Sequence, residues 1–248
     1  MKIINWNIYK KNRNIQKAIT FLRQQQADVI CLQEFPIDQI NLIENIGFYI
    51  TTCEEVHIYH KKQKPIMRAY SVILSRFPII QSSVIPHKKR YMPSNGKREK
   101  YAYFQADTLS ADIDTPQGLF RVFNIHFKCF AGPHHRLSQF AEVMKHLSPE
   151  RHNMVCGDFN SFGKPWVNVL LWKLFYFRIQ DIPINESKRL AKILKTHHLQ
   201  NPLEHQVTFL KFPVQLDYIL IPEHLEVKAK RAFFRLHGSD HFPLMLEV

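Results

Sequence analysis

The chain has 248 residues, 45% of them apolar and 22% charged, the composition of a globular protein with a full core rather than of a disordered one. A net charge of +13 predicts attraction to polyanions: nucleic acid, anionic lipid or phosphorylated small molecules. Only seven glycines are present, and no GxGxxG or GxxxxGKS/T run appears, which argues against a glycine-built nucleotide cradle.

In chain order, Lys2–Ile8 reads as a strand. Asn14–Gln26 follows with Ile15, Ala18, Ile19 and Leu22 at helical spacing, and Asn14 in the capping position. Val29–Gln33 is a short buried-strand run, Ile37–Ile46 a helix stopped by Gly47, and Phe48–Thr52, Ser71–Ser75 and Ile79–Ile85 are strands. Residues 87–100, HKKRYMPSNGKREK, carry six Lys/Arg and one Glu and form a basic loop. Tyr101–Asp107 and Leu119–His126 alternate like paired strands joined through TPQG. Arg136–Leu147 is amphipathic, with Leu137, Phe140, Met144 and Leu147 inward, and Asn153–Gly157 is a strand. Trp166–Phe177, WVNVLLWKLFYF, is too short for a bilayer span of roughly 20 residues and reads as a buried helix. Leu216–Ile221, Glu226–Phe234 and Leu244–Val248 close the chain as strands.

No linker or repeat interrupts the sequence, so residues 1–248 are expected to form a single domain. Hairpin strands that also alternate with helices indicate mixed sheets covered by helices. Cys31, Cys53, Cys129 and Cys156 have no CxxC spacing, and three lie in apolar runs, as reduced core thiols do. The N-terminus has no signal-peptide apolar region, so a cytoplasmic location is expected, with export by a route that needs no cleavable signal left open. A monomer is expected.

Polar residues recur at the ends of the apolar strands. Asn5 and Asn7 interrupt the first, VICLQE ends in Glu34, FRVFNIH in His126, and NMVCGDFN in Asp158 and Asn160. QLDYILI begins with Asp217, and Asp240 and His241 precede the last strand. One such residue is ordinarily a turn or cap residue. Repetition is the signal, because a sheet gathers its strand ends at one edge. Carboxylates converging there would repel one another, and a divalent cation relieves that; oxygen donors favour Mg²⁺ or Mn²⁺ over zinc.

The set NWN (5–7), LQE (32–34), SVILSRFPI (71–79), NIHF (124–127), GDFN (157–160), LDYIL (216–220) and SDHFPL (239–244) resembles the endonuclease/exonuclease/phosphatase superfamily in order and spacing, over essentially the whole chain. That family includes deoxyribonucleases, abasic-site endonucleases, RNA deadenylases, tyrosyl-DNA phosphodiesterases, inositol-polyphosphate phosphatases and neutral sphingomyelinases. The resemblance implies a four-layer α/β/β/α sandwich of two mixed β-sheets flanked by helices, and a Mg²⁺- or Mn²⁺-dependent phosphoesterase. By the same likeness Glu34 would hold the metal with Asn7 and Asp240. Asp158 would position or deprotonate the attacking water, and Asn160 would hydrogen-bond the phosphoryl group. His241 would contact a non-bridging oxygen or donate a proton, oriented by Asp217. His126 stands where the abasic-site enzymes carry Tyr, which leads away from that branch. Ser75 and Arg76 read as structural, and residues 178–213 match nothing beyond the general layout.

Charge makes a nucleic-acid phosphodiester the expected substrate, with Arg98 in the basic loop and Lys128 after the histidine strand as substrate-binding residues, although a solvated lysine is the plainer reading of Lys128. The alternative is a phospholipid, sphingomyelin or inositol-phosphate phosphoesterase docked on an anionic membrane. A non-catalytic binding module on the same scaffold is the third reading; the complete set of polar strand-end residues speaks against it.

Overall fold

The computed structural model describes all residues except 45, 59–65, 88–102, 129–130, 164 and 176–178. The basic loop from Lys88 onward, with Arg98, and Cys129 therefore lie outside the described residues.

Two sheets stack face to face. The first runs β12 (Ala229–Ala232), β13 (Leu244–Glu247), β1 (Lys2–Asn7), β2 (Val29–Pro36), β4 (Ile66–Ser75), β3 (Tyr49–Ile58) and β6 (Tyr103–Gln105). The second runs β10 (Leu199–Gln200), β11 (Asp217–Pro222), β9 (His152–Asp158), β8 (Gly118–His126), β7 (Thr108–Thr115) and β5 (Ile79–Ile85). Each sheet contains one parallel pair, β1–β2 and β8–β9, inside otherwise antiparallel pairing. A parallel pair needs a crossover. The helices α1 (Ile15–Gln25) and α3 (Pro133–Met144) supply the two crossovers.

Three apolar layers hold this together. Ile3, Cys31, Ile73, Val122, Cys156 and Leu244 fill the space between the sheets. Trp6, Ile19, Leu22 and Leu32 lie between the first sheet and α1. Phe123, Phe140, Val155 and Leu190 lie between the second sheet, α3 and α5 (Glu186–Thr196). The expected four-layer α/β/β/α sandwich is therefore the fold. Within it the glycine before Asp158 is obligatory: Gly157 has φ +144°, and a Cβ there would lie 2.0 Å from the Ile125 carbonyl oxygen, so the parallel strands β8 and β9 could not approach as they do.

Several sequence expectations change. The partner of β8 is β7, through residues 108–115, whereas β6 pairs with β3. The polar residues of TLSADIDT hide the alternation of strand β7; Asp112 is buried against Arg121 (2.7 Å) and Arg151 (3.2 Å). The segment 37–46 is a short 3₁₀ turn and the four-residue α2 (Asn41–Glu44), not one helix. Asn14 stands at the start of α1 but makes no side-chain cap bond. The unmatched segment 178–213 contains α5, whose Glu186 holds the buried Arg136 through two hydrogen bonds of 2.8 and 2.9 Å. α4 (Pro165–Phe175) is not buried all round: Trp166, Val169 and Leu170 are exposed. Cys31, Cys53 and Cys156 are free thiols. No helix among the described residues is long and apolar enough to cross a membrane.

Candidate active site

Strand register alone assembles the centre of the site. His126 stands opposite Asp158 on one side and Asp217 opposite Asp158 on the other, so three residues far apart in sequence form one row across β8, β9 and β11. The first sheet brings Asn7 at the end of β1, Glu34 in β2 and His241 just before β13 to the same edge.

Asp158 is the hub and is 1% exposed. Its Oδ1 accepts from the Asn160 backbone N–H (2.8 Å), and its Oδ2 accepts from Asn7 Nδ2 (3.1 Å). The Nε2 atoms of His126 and His241 each lie 3.8 Å from that same Oδ2. Two imidazoles therefore flank one carboxylate oxygen. Each ring is fixed from behind through Nδ1: His241 against Asp217 Oδ2 at 2.8 Å, and His126 against Glu55 Oε2 at 2.8 Å. Glu55 and Asp217 are both fully buried. Ser71 Oγ donates to the other oxygen of Glu55 (2.5 Å), and Thr208 Oγ1 accepts from the Asp217 N–H (3.0 Å).

Electrostatics follow from this enclosure. Burial pulls the His126 imidazole down, but Glu55, with help from Asp158 and Glu34, lifts it to about 9. Burial opposes charge on His241 as well; Asp217, then Asp158, raise it to about 10. Both rings are thus cationic at neutral pH. Asp158 goes the other way from its usual range: burial raises its carboxyl to about 6, with His241 resisting and Asp217 adding to the rise.

Glu34 sits at a register shift in the β2–β4 pairing, with φ +55°. Asn160 has φ +50°. Left-handed backbone at a non-glycine residue is strained, and such strain collects at functional positions. The bend turns Glu34 toward the cleft, where its Oε1 is 3.8 Å from His126 Nε2. Its Oε2 accepts from the backbone N–H of Lys10 (3.2 Å), and the Lys10 ammonium stands 3.1 Å from the same oxygen. Asn160 donates one Nδ2 hydrogen to the Phe127 carbonyl (2.8 Å), and its amide nitrogen carries a second.

Beneath the site a buried amide clamp joins the sheets. Gln33 Nε2 donates to Asn5 Oδ1 (2.8 Å) and Asn124 Oδ1 (2.6 Å); Asn124 Nδ2 donates to the carbonyls of Leu32 and Val72. Asn5 belongs to this clamp rather than to the cleft.

Of the residues expected from sequence, Asn7, Glu34, His126, Asp158, Asn160, Asp217 and His241 are joined by the contacts above. Asp240 is next to His241, but its side chain points to Lys211 (3.4 Å). Lys128 is 7% exposed and is not the solvated lysine expected of it. Arg98 is outside the described residues. Sequence reasoning missed Glu55, Ser71, Lys10 and the Gln33–Asn124 clamp. A signal for Glu55 existed: in a strand the doublet Glu54-Glu55 must send one carboxylate inward. Glu54 pairs with the exposed Arg68, and Glu55 is the inward one.

The donor set fits a hard divalent cation. Glu34 already holds a cationic group at one oxygen, the Lys10 ammonium acting as a stand-in charge, and Asp217 Oδ1 is buried without a hydrogen-bond partner. Donor atoms of Asp158, Asp217 and His241 also lie within 4.8 Å of one another. The His241–Asp217 bond engages two of these three, and Asn7 Oδ1 and Glu34 Oε2 are themselves held by the Tyr9 N–H (3.1 Å) and by Lys10.

Residues 4–241 match the profile described as the Endonuclease/Exonuclease/phosphatase family. No curated protein matches the sequence. Among solved structures, an endonuclease/exonuclease/phosphatase from Beutenbergia cavernae superposes with a TM-score of 0.68 at 13% identity, covering 99% of this chain and 70% of that one. The 3′ phosphatase NExo from Neisseria, bound to a product DNA hairpin, gives 0.64 at 16% identity, covering 100% and 98%. An AP endonuclease from Archaeoglobus fulgidus gives 0.63 at 17% identity, covering 100% and 98%. At these identities the likeness is one of fold.

Proposed function

The chain belongs to the endonuclease/exonuclease/phosphatase family, whose members are hydrolases of phosphoester bonds, and from that premise we propose that it hydrolyses a phosphodiester of nucleic acid by in-line attack of water. The observation that carries the chemistry is the pair of carboxylate-braced imidazoles, each with Nε2 3.8 Å from the same oxygen of Asp158.

In this reading Asp158 orients the attacking water and takes its proton. A carboxyl near 6 is ionised at neutral pH yet far more basic than an ordinary aspartate, which suits a general base. His126 and His241 present N–H donors on cationic rings to the phosphoryl oxygens, where negative charge grows in the transition state. Asp217 and Glu55 keep each ring protonated and aimed. Asn160 directs its second amide hydrogen to the phosphoryl group. Asn7 steadies Asp158. Glu34, Asn7 and Asp240 would hold a Mg²⁺ or Mn²⁺ ion. That ion, when bound, polarises the phosphoryl group and stabilises the leaving oxygen.

The substrate class is supported by the net charge of +13, by Lys10 and Lys128 beside the cleft residues in sequence, and by the DNA product bound to the Neisseria 3′ phosphatase of the same fold. The test is a panel of single-stranded DNA, duplex DNA, RNA and simple phosphate diesters and monoesters, with Mg²⁺, with Mn²⁺ and with chelator. Expected is chelator-sensitive cleavage of nucleic acid, abolished in Asp158→Ala and His241→Ala proteins that retain wild-type circular dichroism. Unchanged turnover in both variants overturns the roles. Cleavage of simple esters without any cleavage of nucleic acid overturns the substrate.

A further inference from the structure

Eleven large apolar side chains are exposed among the described residues, and six of them lie in two neighbouring segments: Trp166, Val169, Leu170 and Ile179 in and after α4, and Leu210 and Phe212 in the loop 209–214. Such concentration is unusual on a surface that need not be covered. Trp166, Val169 and Leu170 stand at i, i+3 and i+4, hence on one helix face. The opposite side of α4 is anchored: Asn168 is fully buried and donates to the carbonyls of Asp181 and Ile184, and Val167, like Phe209 and Val214, packs against the buried pair Phe162 and Leu216.

That small cluster joins the two exposed segments and reaches the cleft. The Phe209 ring lies 4.9 Å from the His241 ring and 6.3 Å from Phe212. Phe209 thus links the 209–214 loop to the His241 side of the catalytic site. The acid beside the 209–214 loop, Asp240, is paired with Lys211 (3.4 Å), and the adjoining helix α5 carries exposed bases. The start of α5 abuts the start of α4, through a hydrogen bond from the Ser187 N–H to the Gly163 carbonyl. Lys188, Arg189, Lys192 and Lys195 are exposed on α5, while the acids of the segment, Asp181 and Glu186, are buried.

Four of the six exposed side chains, Val169, Leu170, Ile179 and Leu210, are aliphatic and offer no ring to stack on a base, which favours a lipid surface over nucleic acid. An exposed helix face of Trp, Leu and Val, next to a helix whose exposed charges include Lys188, Arg189, Lys192 and Lys195, matches a surface that lies in the headgroup region of an anionic bilayer. We propose that the face formed by α4 and the 209–214 loop docks on an anionic phospholipid membrane and holds the catalytic mouth at its surface.

The experiment is co-sedimentation of the full chain with vesicles of phosphatidylcholine alone, or with one-fifth phosphatidylglycerol, at low salt. Binding to the anionic vesicles only is expected. Trp166→Ser/Leu170→Ser should weaken it by at least about tenfold, and Lys188→Glu/Arg189→Glu by a similar factor. Quenching of tryptophan emission by brominated acyl chains should fall in Trp166→Phe. Activity on a soluble ester should be unchanged in all three variants. No binding to anionic vesicles, or binding that both double variants leave intact, overturns the proposal. A concentration-dependent dimer that Trp166→Ser/Leu170→Ser abolishes, without vesicle binding, reassigns the face to a second copy and equally overturns it. Vesicle binding needs no turnover, so failure of the catalytic reading and failure of this one are read separately.

Discussion

Replacing Glu55 by Gln removes one charge from behind His126 while keeping the size and an acceptor for its Nδ1–H. In the native protein His126 is lifted from an ordinary 6.5 to about 9, with Glu55 the largest lifting influence. A rise of that size represents about 3 kcal/mol of folding stability at about 1.4 kcal/mol per pH unit. The sign is fixed by the direction. A folded value above the unfolded one stabilises fully below pH 6.5, and the contribution is lost as pH rises through 9. Urea melts of wild type and Glu55→Gln, in chelator, should therefore differ by about 3 kcal/mol near pH 6 and converge above pH 9. Turnover at pH 7 should fall about 10²-fold or more, since burial then leaves His126 neutral. A constant stability gap from pH 6 to 10, or wild-type turnover, would refute the assignment of Glu55 as the brace of His126.

Asp158→Asn should divide function from stability. Its carboxyl rises from 3.8 to about 6 on folding, so the ionised form is penalised once pH exceeds that range. The variant should be about 1–3 kcal/mol more stable than wild type at pH 8, the gap closing below pH 4, with turnover down at least about 10³-fold; thermal melts across pH check it. Lys10→Met should tighten Mn²⁺ binding to chelator-stripped protein about tenfold by removing an ammonium 3.1 Å from Glu34, and equal affinities by calorimetry would detach Lys10 from the metal site. Gly157→Ala should cost about 3 kcal/mol or more, or prevent folding, because its Cβ meets the Ile125 carbonyl at 2.0 Å. Gly47→Ala, with φ +77° and open space around it, should cost only about 1 kcal/mol, and denaturant midpoints compare the two.

The residues that sequence revealed are those that end apolar runs. Glu34, His126 and Asp158 each follow several buried aliphatic positions, so a polar side chain there has to be explained, and the strand edge explains all of them at once. Glu55 and Ser71 gave no such contrast. Glu55 lies between Glu54 and Val56 and Ser71 between Tyr70 and Val72, so neither ends an apolar run, and only the inward face of the pleat separates Glu55 from Glu54. The strand β7 escaped for a related reason: Asp112 is polar and buried, and what makes that affordable is Arg121 on the next strand, nine residues on. The surface of α4 departs from expectation in the opposite direction. An almost wholly apolar run predicts burial, but one face of α4 packs through Val167 on Phe162 and Leu216 while Trp166, Val169 and Leu170 are exposed among the described residues, and composition cannot distinguish those faces.

Each imidazole–carboxylate pair spans the two sheets. His126 is on β8 and Glu55 on β3; Asp217 is on β11 and His241 precedes β13. Asn7 to Asp158 and Gln33 to Asn124 cross the same gap. Side chains from opposing sheets meet only if the sheets keep a fixed separation, which the close-packed layer of Ile3, Ile73, Val122 and Leu244 imposes. The same arrangement sets the charge of the cleft. At formal charge, the four carboxylates of Glu34, Glu55, Asp158 and Asp217 face three cations, Lys10, His126 and His241, which leaves one negative charge in excess. A divalent cation at Glu34 would shift that balance by two charges, while Asp158 has the two imidazoles at 3.8 Å as its own cations. The braced imidazoles thus hold Asp158 toward its ionised form against the burial that raises its carboxyl, each with Nε2 3.8 Å from the same oxygen.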